Sequence, residues 1–206
     1  MNRATPTAAE TGLARAISRE DLVNLPIRRY GGEVRLVATA RDLENARSDL
    51  AHEAVVGLDT ETRPAFRKGE SYLPCLVQAA TARAVYIFQL RRTEVLSALA
   101  EFLAAPSVVK AGISLADDLR QLKRVFPFEE KNVLDVGVAA RRAGLKQTGV
   151  RNLAGIALGF RIPKSASTSN WAAPRLTPKQ ITYAATDAWA CRELYLRFQE
   201  LGLLDG

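Results

Sequence analysis

The stretch "AVVGLDTET", residues 54 to 62, constrains the fold more than any other. Val55, Val56 and Leu58 put apolar side chains on both faces of an extended segment, and only a strand covered on both sides buries them all. The rest of the chain must therefore supply covering layers. The same run ends in acids. Asp59 and Glu61 are two apart, and a period of two sends both to one face with Val55 and Gly57. Like charges side by side on a strand repel. Either the strand has already ended and both acids stand in a solvated turn, or a cation sits between them.

The covering elements are legible elsewhere. "EVRLVAT", "SYLPCLVQAAT", "AVYIFQL" and "SVVKAG" read as strands, with Pro74 arguing for an edge or strand-entry position. Helical spacing runs through "ARDLENARSDLAHE", "TEVLSALAEFLAAP", "LADDLRQLKRVF" and "VRNLAGIALGF". It returns in a long final helix from Pro178, capped by Thr177, while "NVLDVGVAARRAG" begins at a strand end and turns helical. Strands first, then βα units, then helices predict an α/β protein with a mixed sheet flanked by helices. Residues 1–32 hold no sustained period and read as a loose N-terminal arm, leaving 33–206 as a single domain.

Charge narrows the partners. Against 22 acidic side chains stand 29 basic ones, a net charge of +7, which favours a polyanion such as nucleic acid. The two cysteines, Cys75 and Cys191, lie in apolar runs and His52 is the only histidine, too few ligands for zinc. Buried free thiols in a reducing compartment follow. The N-terminus lacks an apolar signal core, and no run approaches the roughly 18 apolar residues of a membrane span. A soluble, cytoplasmic protein without a membrane partner or a nucleotide cofactor is expected.

Two further sites hold acids that packing alone does not require. In "GISLADDLRQL" the apolar stripe runs Leu115, Leu119, Leu122 and on to Phe126; Asp118 borders it, whereas Asp117 shares the outer face with Arg120 and Gln121. Asp118 is thus the inward acid and Asp117 a cap or solvated residue. On the last helix Tyr183 and Asp187 are four apart and share a face, beside a core stripe of Ile181, Ala184, Ala188, Cys191 and Tyr195. Asp59, Glu61, Asp118 and Asp187 form an oxygen-only donor set that suits Mg²⁺ or Mn²⁺. Two such ions about 3.5–4 Å apart can clamp a phosphodiester and activate a water against it. A free phenol with a pKa of about 10 is a poor base at neutral pH, so Tyr183 is expected to orient that water.

"VVGLDTET", "AGISLADDL" and "SNWAAPRLTPKQITYAATDAWACRELY" closely resemble the three motifs of the DnaQ-like exonucleases. The match is to their tyrosine-bearing DEDDy group, and within it to ribonuclease D and the exonuclease domain of the Werner syndrome helicase. It runs from about residue 33 to the C-terminus. The resemblance implies a ribonuclease H-like fold and metal-dependent hydrolysis that releases nucleoside 5′-monophosphates from the 3′ end of DNA or RNA. It makes Asp59, Glu61, Asp118 and Asp187 the ligands of two ions and Tyr183 the water-positioning phenol. Gln78 and Lys164 match recurring family positions, and Thr60, Asn170 and Trp171 lie within the motifs; these five are candidate substrate contacts. Asp135 also matches a family aspartate but is not expected to be a ligand. The alternative is a non-catalytic module that keeps the fold and binds nucleic acid without cutting it.

Overall fold

The computed structural model describes residues 5–67, 69–164, 166 and 168–204, so residues 1–4 of the arm and Ser165 and Ser167 of the Ser-rich loop lie outside it. Six strands form one mixed sheet: β1 (Glu33–Leu36), β2 (Val55–Thr62), β3 (Pro74–Ala80), β4 (Ala84–Gln89), β5 (Val109–Gly112) and β6 (Val133–Asp135). Their spatial order is β1-β4-β3-β2-β5-β6. The β2–β3 and β3–β4 pairs are antiparallel, and β1–β4, β2–β5 and β5–β6 are parallel. The apolar run of β2 is thus inside the sheet, as its two-sided hydrophobicity requires. Pro74 is the first residue of β3, where its missing N–H costs no ladder bond.

One face carries α2 (Ala40–Ala51), α3 (Leu96–Ala104) and α4 (Leu115–Leu122). Val56, Leu58, Val77 and Phe88 from the sheet pack there against Leu50, Leu99, Leu103, Leu115 and Leu119. The other face carries α5 (Val136–Arg142), α6 (Val150–Leu153) with the π-helical turn Ala154–Leu158 that continues it, and the 23-residue α7 (Pro178–Glu200). Here Val55 and Ala111 meet Val136, Ala140, Leu153, Leu194 and Phe198. Thr177 caps α7 in a box with Gln180, and Pro178 opens it. No helix among the described residues is long and apolar enough to cross a membrane.

Two expectations need correction. The N-terminal segment is not loose. Ala8 is buried, its N–H bonds the Ala143 carbonyl at 2.8 Å, and Lys146 N–H bonds the Arg15 carbonyl. A short helix, α1 (Arg19–Asn24), follows, and the Tyr30 N–H reaches the Thr186 hydroxyl at 3.1 Å. Scattered apolar anchors such as Leu13, Ile17, Leu22 and Leu25 produce no period, yet each finds a place over α5–α7. The second correction is to α7, which buries far more than one stripe. Every residue from Ala184 to Ala188 is buried, as are Ala190 and Cys191, because the sheet lies beneath the helix and the 150–164 segment beside it. Cys75 and Cys191 are free thiols, the second buried.

Candidate active site

Gly57 brings the acids together. A Cβ at this position would lie 2.1 Å from the Ala188 carbonyl oxygen and 2.9 Å from Arg192 Cβ, so α7 lies backbone to backbone on β2. Arg192 secures the approach by donating to the Val55 carbonyl at 3.3 Å and pairing with Glu53 at 3.5 Å. Next to Ala188 in the helix, Asp187 comes over the strand end. Carboxylate oxygens of Asp59, Glu61 and Asp187 all lie within 4.8 Å of one another. Asp59 and Glu61 are still in the strand, and the ladder shifts register only between Glu61 and Thr62. The solvated-turn reading therefore fails.

Asp118 arrives from the opposite side, where α4 packs by Leu115, Leu119 and Leu122. It is half-buried and outside the tight trio, and the Thr60 hydroxyl is hydrogen-bonded to it. Asp117 points outward and pairs with Arg120. Asp135 is a cap: its carboxylate accepts the Leu115 N–H at 3.1 Å and the Val138 N–H at 3.0 Å, fixing the start of both α4 and α5.

The electrostatics are those of a cation site. Burial, then the charges of Asp187 and Asp118, holds Asp59 well above the usual carboxylate range. Burial and the neighbouring acids push Glu61 up to about 9. Burial lifts Asp118 to about 6 against the Thr60 hydrogen bond. It lifts Asp187 to about 6 against the Tyr183 hydroxyl and the charge of Arg151. Among the described residues no basic side chain is ion-paired with Asp59, Glu61 or Asp187, and Asp187 Oδ1 is buried without a hydrogen-bond partner. A divalent cation fits this donor set, since it satisfies the orphaned oxygen and removes the repulsion.

The remaining candidates divide. Tyr183 stands next to Asp187, and its ring lies 5.9 Å from that of Trp171. Trp171 is a buried packing residue that backs the phenol. Gln78 is the cross-strand partner of Asp59, fully buried, with both amide atoms unpaired. Asn170 is exposed; its side chain accepts the Ala172 N–H, and its carbonyl accepts from Gln180 Nε2, tying the loop to α7. Lys164 is exposed in the same loop, and no described contact brings it to the acids. Arg151 was missed. It donates to the Ile162 carbonyl at 3.0 Å, and its charge acts on Asp187 from 36 positions upstream, a separation that carries no sequence signal.

A family model described as a 3′-5′ exonuclease matches residues 34–202. A ribonuclease D from Gluconacetobacter diazotrophicus is 33% identical over 178 residues, covering 82% of this chain and 44% of that protein. A 3′-5′ exonuclease from Arabidopsis thaliana is 27% identical, covering 90% of this chain and 70% of its own. The EXO domain of Aedes aegypti Nibbler superposes with a TM-score of 0.75 at 22% identity, over 84% of this chain and 92% of that one, a likeness of fold. The chain thus spans less than half of the ribonuclease D it resembles.

Proposed function

Because the chain belongs to the 3′-5′ exonuclease family, we propose that it hydrolyses phosphodiester bonds from the free 3′ end of a nucleic acid, releasing nucleoside 5′-monophosphates. One observation carries the reading: three carboxylates converge within 4.8 Å at a strand end, and among the described residues none of them is ion-paired with a basic side chain. Asp59, Glu61 and Asp187, joined by Asp118, would hold two Mg²⁺ or Mn²⁺ ions. Bound there, the ions supply Lewis acidity that eases loss of a proton from the attacking water and offsets charge on the scissile phosphate.

The chain's own groups do the rest. Burial, and then Asp187, raises the Tyr183 phenol far above its ordinary range, so it stays protonated at neutral pH. It therefore donates or accepts a hydrogen bond that orients water, and does not act as a base. Trp171 fixes the ring from behind. Thr60 serves by orienting Asp118, and Gln78 holds unpaired amide atoms beside Asp59 for a water or a phosphate oxygen. Lys164 and Asn170 are solvent-facing loop residues, and a substrate contact at either rests on the motif alone. None of these groups reads a base edge, so cleavage is expected to be indifferent to base identity.

The test is a 5′-labelled single strand incubated with Mg²⁺, with Mn²⁺ or with chelator, in matched DNA and RNA versions. A ladder shortening one nucleotide at a time from the 3′ end, abolished by chelator, is expected. Binding without shortening would overturn the hydrolytic reading in favour of a non-catalytic module.

A further inference from the structure

Beyond the acids, β2 leads into the connection to β3, described at residues 63–67 and 69–73, in which Phe66 is 82% exposed. No other phenylalanine behaves this way: Phe88, Phe102, Phe126, Phe160 and Phe198 are buried and Phe128 packs against the core. Arg63 and Arg67 flank it, both exposed, and neither has an ion-pair partner among the described residues. The loop is anchored. The Arg63 guanidinium lies 4.3 Å from the centroid of the Tyr72 ring, closing the base, and the Glu70 N–H bonds the Arg67 carbonyl at 3.1 Å across a turn in which Gly69 has φ of +90°. An aromatic face is thus presented to solvent between two arginines, one resting on the Tyr72 ring and neither ion-paired among the described residues.

Position gives this its meaning. Phe66 is five residues past Glu61, so the chain allows at most about 18 Å between them. At 3.4 Å per stacked nucleotide, that span covers about five nucleotides of a strand whose end lies at the acids. Isolated exposed hydrophobic residues are ordinary on protein surfaces. Here the flanking positive charge and the shared strand end favour a polyanion with exposed ring faces over an apolar protein surface. Resting on the nuclease reading above, we infer that Phe66, with Arg63 and Arg67, is a stacking platform for an unpaired base of the substrate strand near its 3′ end. Phenylalanine stacks on any base but only on one whose face is free, so the platform selects single-stranded 3′ ends without selecting sequence.

The experiment measures binding apart from cleavage. A fluorescent single strand of about twelve nucleotides is titrated with the full chain in chelator at low salt. F66A weakens binding by about tenfold, in keeping with the roughly 1–3 kcal/mol per stacked base, and F66W restores it. Since phenylalanine carries no charge, F66A leaves the salt dependence in place, whereas an R63A/R67A pair flattens it. The loss is smaller for a blunt duplex, whose base faces are covered. F66A binding like the wild type, an equal loss on the duplex, an effect on self-association alone, or a wild type that binds no strand overturns the platform. Shortening of the same strand with Mn²⁺ is read in parallel. A protein that binds through Phe66 yet never shortens the strand overturns the nuclease reading alone.

Discussion

The two faces of the sheet each bury charge, and they do so in opposite ways. On the α7 face three acids meet, and none of them is ion-paired among the described residues. On the other face Lys110 is fully buried, its ammonium donating to the carbonyls of Ala105 at 2.6 Å and Val108 at 3.0 Å, with the Phe102 ring centroid 5.8 Å away. A buried charge is tolerable only when its hydrogen-bonding capacity is met. Backbone oxygens and a π face do that for Lys110, so its site is complete within the chain. No comparable set of donors surrounds the acids, and Asp187 Oδ1 is left over. The difference separates a charge that completes a fold from a cluster that awaits a ligand.

The sharpest way to break that contrast is to alter one member of each. Asp59→Asn is expected to cut hydrolysis by roughly two to three orders of magnitude or more. The fold should persist without metal, since the change relieves repulsion. Wild-type cleavage in that variant would refute the site. Lys110→Ala should do the reverse. It strands two carbonyls and opens a cavity, lowering stability by about 3 kcal/mol in urea unfolding while leaving the rate per folded molecule alone. A rate loss greater than the unfolded fraction would show that the faces are not independent.

Metal sharpens the comparison. At about a hundredfold excess over its Kd, Mn²⁺ should stabilise the wild type by about 2.7 kcal/mol, a rise in Tm of several degrees. Asp187→Ala should abolish the rise; an equal shift in both proteins would count against ligation there. Lys110→Ala should keep it, from a lower starting Tm.

The pH dependence is the most gradual effect, a slope of about 1.4 kcal/mol per pH unit for each proton concerned. Without metal, folded Glu61 keeps a proton from its ordinary 4.5 up to about 9, after the unfolded chain has lost it, so stability falls as pH rises through that window. Asp118 and Asp187 add to the fall between 3.8 and about 6. Lys110 runs the other way. Burial lowers it to about 8, so between about 8 and 10.5 the unfolded chain binds the proton and the lysine's own contribution to stability rises with pH. Urea titrations across this range should show a fall that Mn²⁺ flattens and that Lys110→Ala steepens between about 8 and 10.5, where the lysine opposes Glu61 and the buried Cys191 thiol.

Lys110 also marks where sequence reading stops. In "SVVKAG" it is one cation in a short strand, and nothing nearby announces carbonyls brought in by the preceding turn. Arg151 is silent for the same reason, because its effect on Asp187 crosses elements. The anchoring of the N-terminal arm leaves no trace in the sequence, because isolated contact residues have no period to detect. Lys164 and Asn170 are placed by motif alone, and the loop holds both toward solvent.

Alternation and helical spacing placed the strands β1 to β5 and the helices α2 to α7, though not the π-helical turn after α6, because these follow from local backbone geometry and from which side chains avoid water. The same periodicities put Asp59 with Glu61, and Tyr183 with Asp187, on shared faces. Tertiary structure alone decided that Gly57 lets α7 touch β2, that Asp187 thereby meets Asp59 and Glu61, and that Asp118 stands slightly apart against Thr60. Distances between elements depend on how closely backbones can pack, and that is a property of pairs of surfaces that neither segment carries by itself.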